Sequence, residues 1–278
     1  MNGSRFNLQN KTDIVKFRNL IHSYFRDHGR DLPWRKDFNP YHIFVSEIML
    51  QQTQVDRVRG KFERFVEHFP DFHSLRAATM NSIYPLWQGL GYNRRALALK
   101  QAADIIVEQF EGVLPDAPEI LVKLPGIGPA TAASMCAFAY NRPVVFLETN
   151  IRTVLIYHFF QNQAAVAEAE LLIAAKLTLD TKNPRNWYSA LMDYGTMLKK
   201  EIGNLSVKSS VFKKQSAFKG SRRELRGGIL KFINKNGAAD RTDLAGILDR
   251  KPQEIDTALN LLIKEGMVRE ENSRYFLT

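Results

Sequence analysis

Apolar residues recur along most of the chain at spacings of three and four, the period of a helix with one buried face. The stretch 14–25 carries Ile14, Phe17, Leu20, Ile21 and Phe25 on such a stripe. Asn39-Pro40, just before 41–55, reads as an N-cap followed by proline at the first helical position. Further helices are predicted at 58–67, 80–86, 94–109, 119–123, 129–139, 150–160, 166–179 and 186–199, with Pro, Gly or Asp in the short loops between them. Few convincing strands appear in this body, and no internal repeat. The pattern predicts a mainly α architecture.

The periodicity breaks over 203–220, where Ser, Lys and Asn interrupt the apolar stripe, so a domain boundary is placed near its end. The chain is thereby divided into 1–219 and 220–278, with 199–219 as a basic linker. Three short helices are predicted at 223–235, 241–248 and 253–265. Segments 267–271 and 274–277 flank the turn-prone pair Asn272-Ser273, which predicts a hairpin. Three helices and a β-wing suggest a winged-helix module; a three-helix dimerisation or packing domain is the other reading.

Composition narrows the class. With 278 residues, 45% hydrophobic and 24% charged, the chain can bury a core and is not a disordered tail protein. No apolar run approaches 18 residues, and residues 1–11 are polar where a signal peptide needs an apolar stretch. A soluble, monomeric protein without a membrane partner is expected, cytoplasmic and nucleoid-associated in a prokaryote and nuclear otherwise. The single cysteine, Cys136, closes no internal disulfide and cannot build a thiolate-ligated metal site. No cofactor and no metal are expected.

The net charge of +10 favours an anionic partner. It is concentrated in one segment: 199–231 holds ten Lys or Arg against Glu201 and Glu224 only. Such a block is either a solvated linker or a nucleic-acid contact, for which Lys213 and Lys214 are the candidates.

The sharpest local motif is Leu124-Pro125-Gly126-Ile127-Gly128-Pro129, between two predicted helices. Its glycines permit a tight turn and let backbone N–H groups approach a phosphate, while the following helix presents its positive N-terminus. Gly126, Ile127 and Gly128 are therefore candidate contacts to a DNA backbone, as in a helix-hairpin-helix, with an ordinary helix corner as the alternative. Ahead of this hairpin stand, in order, Leu32-Pro33-Trp34-Arg35, the run Ser46-Glu47-Ile48-Met49-Leu50-Gln51-Gln52-Thr53-Gln54, and Gly89-Leu90-Gly91-Tyr92. Taken together over residues 12–200, the chain resembles the MutY-type adenine DNA glycosylases of the helix-hairpin-helix glycosylase superfamily. The resemblance implies two helical subdomains with DNA across the cleft between them and a base turned out into a pocket.

The chemistry of such a reaction needs two differently tuned carboxyls. Cutting the C–N bond between adenine and deoxyribose needs an acid to protonate the leaving purine and a carboxylate to stabilise the oxocarbenium ion. Glu47 sits between Ile43-Phe44-Val45 and Ile48-Met49-Leu50, where burial would raise its pKa, and it matches the family's general acid. Glu148 falls where the family usually has aspartate followed by glycine; here the acid is one methylene longer and is followed by Thr149. Glu148 could instead cap a helix, and Asn150 could orient its carboxylate, orient the sugar phosphate or cap. By the same matching Leu32, Trp34, Arg35, Val55 and Asp193 line the base pocket, although Trp34 and Val55 could be core. Leu50, Gln51, Gln52 and Thr53 stand where side chains wedge into the vacated stack and touch the opposite base.

Three departures stand out. Most relatives have four spaced cysteines after the position of Lys199, and this chain has none, so packing and lysines are expected to replace the iron–sulfur loop. Ala130 stands where bifunctional relatives such as endonuclease III have the Schiff-base lysine, which excludes that lyase step. The Nudix-like C-terminal domain that checks for oxidised guanine is replaced by 220–278. The expected function is monofunctional, hydrolytic excision of a mispaired or damaged base from double-stranded DNA, adenine opposite guanine or oxidised guanine foremost. Alkylated purines, uracil or mismatched thymine remain alternative substrates. A catalytically silent lesion-binding protein and a glycosylase-lyase using another amine remain alternative functions.

Overall fold

The computed structural model describes residues 6–214 and 217–278. In chain order it contains α1 (Lys11–His28), α2 (Pro40–Leu50), α3 (Val55–His68), α4 (Phe72–Ala77), α5 (Met80–Trp87), α6 (Arg94–Phe110), α7 (Pro118–Leu121) and α8 (Pro129–Tyr140). There follow α9 (Thr149–Phe159), α10 (Glu168–Thr178), α11 (Pro184–Ile202), α12 (Arg222–Asn236), α13 (Arg241–Leu248), α14 (Pro252–Lys264), β1 (Val268–Glu271) and β2 (Arg274–Leu277). Short polar side chains start many of these helices. Asn10 Oδ1 accepts from Thr12 N at 2.9 Å, and Asp71–Ser74 and Thr79–Ser82 form reciprocal capping boxes, each such cap contributing about 1 kcal/mol.

Two sequence expectations need correction. The helix predicted over 41–55 ends at Leu50, and a new helix begins at Val55. Between them Gln52 takes a left-handed φ of 53°, so residues 51–54 form a turn. The helix α4 has no counterpart in the prediction, because six residues are too few to show a period and its capping box alone defines it.

The chain folds into two compact units. The first comprises Met1–Ile43, Pro115–Lys123 and Ile127–Lys214, and the second Phe44–Leu114, Leu124–Gly126 and Gln215–Thr278, in each case as far as the residues are described.

In the first unit α11 lies against both α1 and α9. Phe17 of α1 packs edge-on against Phe159 and Trp187, with centroids 4.9 and 5.8 Å apart. The α9–α11 approach is set by Gly195, where a Cβ would lie 2.5 Å from the Asn150 carbonyl oxygen. Arg18 of α1 donates to the carbonyls of Leu177, Thr178 and Leu179 at the C-terminus of α10, where a cation complements the helix dipole. The segment after α11 is tied down without thiolates. Val166 N donates to Lys208 O, Ser210 N donates to Val166 O, and Lys208 Nζ donates to the carbonyls of Gln161 and Gln163.

In the second unit α4 packs on α6 and α3 on α5, around the fully buried Phe44, Phe65 and Trp87. The C-terminal elements enclose Ile229, Leu230, Leu244, Leu259, Leu262 and Tyr275. Strands β1 and β2 pair antiparallel, Val268 with Leu277 and Glu271 with Arg274. Asn272 and Ser273 both take positive φ, 51° and 61°, the turn geometry whose twist matches a two-residue hairpin. An isolated bridge from Ala239 to Tyr275 adds a further pairing to β2.

Candidate active site

The first unit holds Glu148 and Asn150 at the start of α9. Glu148 is the N-cap of that helix, its Oε1 accepting from Ile151 N at 2.8 Å, while Asn150 Nδ2 donates to Oε2 at 3.2 Å. Glu148 thus takes the capping role set out for it above, and Asn150 orients its carboxylate rather than capping the helix itself. The extra methylene of glutamate does not prevent the cap. Burial raises the Glu148 pKa, opposed by the hydrogen bonds from Asn150 and Ile151 and by the charges of Lys199 and Arg152. Among the described residues no lysine or arginine pairs directly with this carboxyl. Arg152 is instead engaged by Glu168, which also accepts from Ser209 Oγ at 3.2 Å.

Arg35 and Asp193, expected together in a base pocket, do meet. Asp193, whose side chain is 1% exposed, takes Arg35 Nη1 and Nη2 at 2.9 and 3.0 Å, and Arg30 N and Nε at 2.8 Å each. Burial alone would raise this carboxyl, but Arg35 and Arg30 hold it below the usual carboxylate range. With both oxygens engaged, Asp193 acts within the folded chain as the tie between α11 and residues 30–35. Leu32 and Trp34 flank this tie and are buried. Arg30 was not legible as part of it, because its partner lies 163 residues away.

The second unit holds Glu47, Leu50, Gln51, Gln52, Thr53 and Val55. Glu47 is half-buried on α2, between the fully buried Val45 and Ile48. The turn after α2 is built around a residue the sequence reading missed. Arg95, 8% exposed on the buried face of α6, donates to the carbonyls of Ile48, Met49 and Gln51 at 2.7–2.8 Å and to Thr53 Oγ1 at 2.9 Å. It also donates to Gly91 O at 3.0 Å. Burial lowers its pKa to about 10, so the guanidinium stays charged while it satisfies the last carbonyls of α2. An arginine at an apolar-stripe position, followed by Leu99 and Ala102, was the available signal. Val55 is half-buried as the first residue of α3.

At the hairpin, Gly126 has φ of +76°, and a Cβ there would meet the Ala98 side chain at 2.8 Å. Gln51 Nε2 donates to its carbonyl at 3.1 Å. Ile127 is buried. Gly128 is the N-cap of α8 with open space around it, so neither φ nor packing demands glycine there; what it leaves is room at a helix N-terminus. Ala130 is exposed in the first turn of α8. Lys213 and Lys214 are exposed. Cys136 is buried inside α8, and with no second cysteine in the chain a four-thiolate cluster does not fit this protein. No helix among the described residues is long and apolar enough to cross a membrane.

Residues 45–177 match the family model of the HhH-GPD superfamily base excision DNA repair proteins. The adenine DNA glycosylase of Mycolicibacterium smegmatis is 31% identical across 88% of this chain and 90% of its own. That of Buchnera aphidicola subsp. Baizongia pistaciae is 37% identical over 54% of this chain and 43% of its own. The chain thus spans about half the length of some curated relatives and nearly all of another. Among solved structures, a thermostable thymine-DNA glycosylase superposes with a TM-score of 0.62 at 23% identity, covering 73% of this chain and 98% of its own. The shared architecture is the helix-hairpin-helix glycosylase fold.

Proposed function

Because the chain belongs to the adenine DNA glycosylases of the helix-hairpin-helix base excision repair superfamily, we propose that it is a monofunctional DNA N-glycosylase that excises a flipped-out base. The observation that carries this reading is Glu148: a half-buried carboxyl at the start of α9, raised by burial and aimed by Ile151 N–H and Asn150. A carboxyl so held is suited to meeting positive charge as it develops. Glu47 delivers a proton to the purine, the C–N pair leaves with the base, and Glu148 stabilises the oxocarbenium left at the deoxyribose C1′. Water adds to C1′ and its proton passes to a carboxylate, so the balance closes without a cofactor. No amine stands at residue 130, so the abasic strand is left uncut. Gly126 to Gly128 hold a phosphate at the N-terminus of α8, and Lys213 and Lys214 add backbone charge contacts.

Adenine opposite guanine or oxidised guanine is the substrate this reading favours, in line with the names of the relatives. The test is base release from a panel of duplexes carrying adenine, thymine, uracil or alkylated purines in defined pairs, developed with alkali. Release of adenine that is lost in Glu47→Gln and Glu148→Gln supports the reading. Release of another base corrects the substrate. Tight binding with no release from any duplex makes the protein a silent lesion binder, and strand cleavage without alkali makes it a lyase.

A further inference from the structure

Arg152 lies on α9 one turn beyond Glu148, its backbone N–H donating to the Glu148 carbonyl at 2.9 Å. Side chains four residues apart on a helix are neighbours, and an acid that precedes a base is the favourable order for an ion pair. Yet the guanidinium is turned away, to Glu168 at the start of α10. It donates from Nη2 to Oε1 at 2.5 Å and from Nε to Oε2 at 3.2 Å. The two side chains are 19% and 27% exposed, so this two-pronged pair is screened less than one on the open surface.

Glu168 is itself fixed by the segment after α11. Its Oε2 accepts from Ser209 Oγ at 3.2 Å, and its backbone N–H donates to Ser210 Oγ at 3.2 Å. Val166, two residues before it, bridges to Ser209. The hydrogen bonds from Arg152 and Ser209 hold the Glu168 carboxyl below the usual carboxylate range, so it stays charged and keeps the fork. Among the other charged groups on elements packed against α9, Lys199 of α11 is half-buried and its charge acts on Glu148. Lys208 is engaged by the carbonyls of Gln161 and Gln163.

We propose that Glu168 is a positioning residue for base excision, which holds the Arg152 guanidinium off Glu148 so that this carboxylate meets the oxocarbenium with its charge unneutralised. The inference rests on the glycosylase reading above. An arginine fork on Glu148 would compete with Asn150 for Oε2 and reduce the negative charge offered to the sugar. The segment after α11 thereby acts on the reacting carboxyl through Ser209, Glu168 and Arg152.

The experiment is a double-mutant cycle on the full chain with Glu168→Gln and Arg152→Gln. Carboxyl-carbon NMR, with Glu148→Gln to assign the resonance, gives the Glu148 titration midpoint, and single-turnover base release against pH gives the rate. Glu168→Gln should lower the midpoint by about one unit or more, the effect of a direct cation. It should also slow release about tenfold at the wild-type optimum. In the Arg152→Gln background the same substitution should leave the midpoint in place, and the double variant should release base within about threefold of wild type. Glu170→Gln, which removes a charge from the same turn of α10, should change neither quantity. A midpoint or a rate unchanged in Glu168→Gln, or a midpoint shift of equal size in both backgrounds or in Glu170→Gln, overturns the proposal while base release by the wild type keeps the glycosylase reading. A wild type that releases no base from any duplex removes both.

Discussion

Gly195→Ala tests whether the approach of α11 to α9 sets the position of Glu148. The new Cβ would lie 2.5 Å from Asn150 O and 2.7 Å from Asn150 Cβ, and neither atom belongs to a flexible side-chain end. Non-bonded carbons settle at about 3.5–4.0 Å, so the first turn of α9 must move by about 1 Å. Glu148 moves with it, being held by Ile151 N and Asn150 Nδ2. Overpacking of this kind costs about 1–3 kcal/mol, or roughly 2–10 °C in Tm for a chain of this size. A displacement of about 1 Å at a reacting carboxylate can lower the rate about a hundredfold. The assay is single-turnover base release at saturating enzyme, run well below the melting temperature of the variant. Gly227→Ala is the control: α12 leaves open space there, so only the helix penalty of glycine is removed, a gain of about 0.5–1 kcal/mol. A Gly195→Ala protein that releases base at the wild-type rate refutes the reasoning, whatever its Tm.

The carboxyls of Glu148 and Asp193 predict opposite pH behaviour. Glu148 has a raised pKa, so the folded state binds its proton more tightly than the unfolded chain and its contribution to stability falls as pH rises through the folded value. Glu148→Gln should accordingly melt higher than wild type at neutral pH, with the difference shrinking toward pH 4; a variant less stable at neutral pH contradicts this. Asp193 has a lowered pKa; its stabilisation is complete above the unfolded value and is lost as pH falls through the folded one. Asp193→Asn leaves two arginines uncompensated and should cost about 3–5 kcal/mol at pH 7 by denaturant midpoint, with a smaller cost in acid. In Arg95→Lys one ammonium cannot replace a fork serving several carbonyls, and limited proteolysis should cut within 51–54 faster than in wild type. Neutralising Lys213 and Lys214 together should reduce the salt slope of duplex binding by about 2; an unchanged slope removes them from the DNA contact.

Much of the helical body was legible because each long helix carries its own period and its own start signal. The boundaries of α6, α8 and α13 fall within a residue or so of where the apolar stripe, the proline and the polar caps put them. The end of α2 was not legible. Residues 51–54 are compatible with a helix by themselves, and the break coincides with Arg95, more than forty residues on, taking the carbonyls that close the helix. The candidate site divides in the same way. Glu148 as cap and Asn150 as its partner are neighbours in sequence, so local chemistry suggested both. The clamp of Arg30 and Arg35 on Asp193 joins residues about 160 apart, and no local signal announces which arginines will meet which acid.

The way the two units alternate along the chain has a kinetic consequence. Residues 44–114 emerge from a ribosome as one uninterrupted piece and can begin to collapse at once. The helix α1 has no such option, since the carbonyls that receive Arg18 follow it by 159 to 161 residues. At about 5–20 residues per second, its partner arrives roughly 8 to 32 s after it. For that interval the stripe holding Phe17 and Ile21 stays uncovered. Although α1 precedes every other helix of its unit in the chain, it is thus among the last to dock.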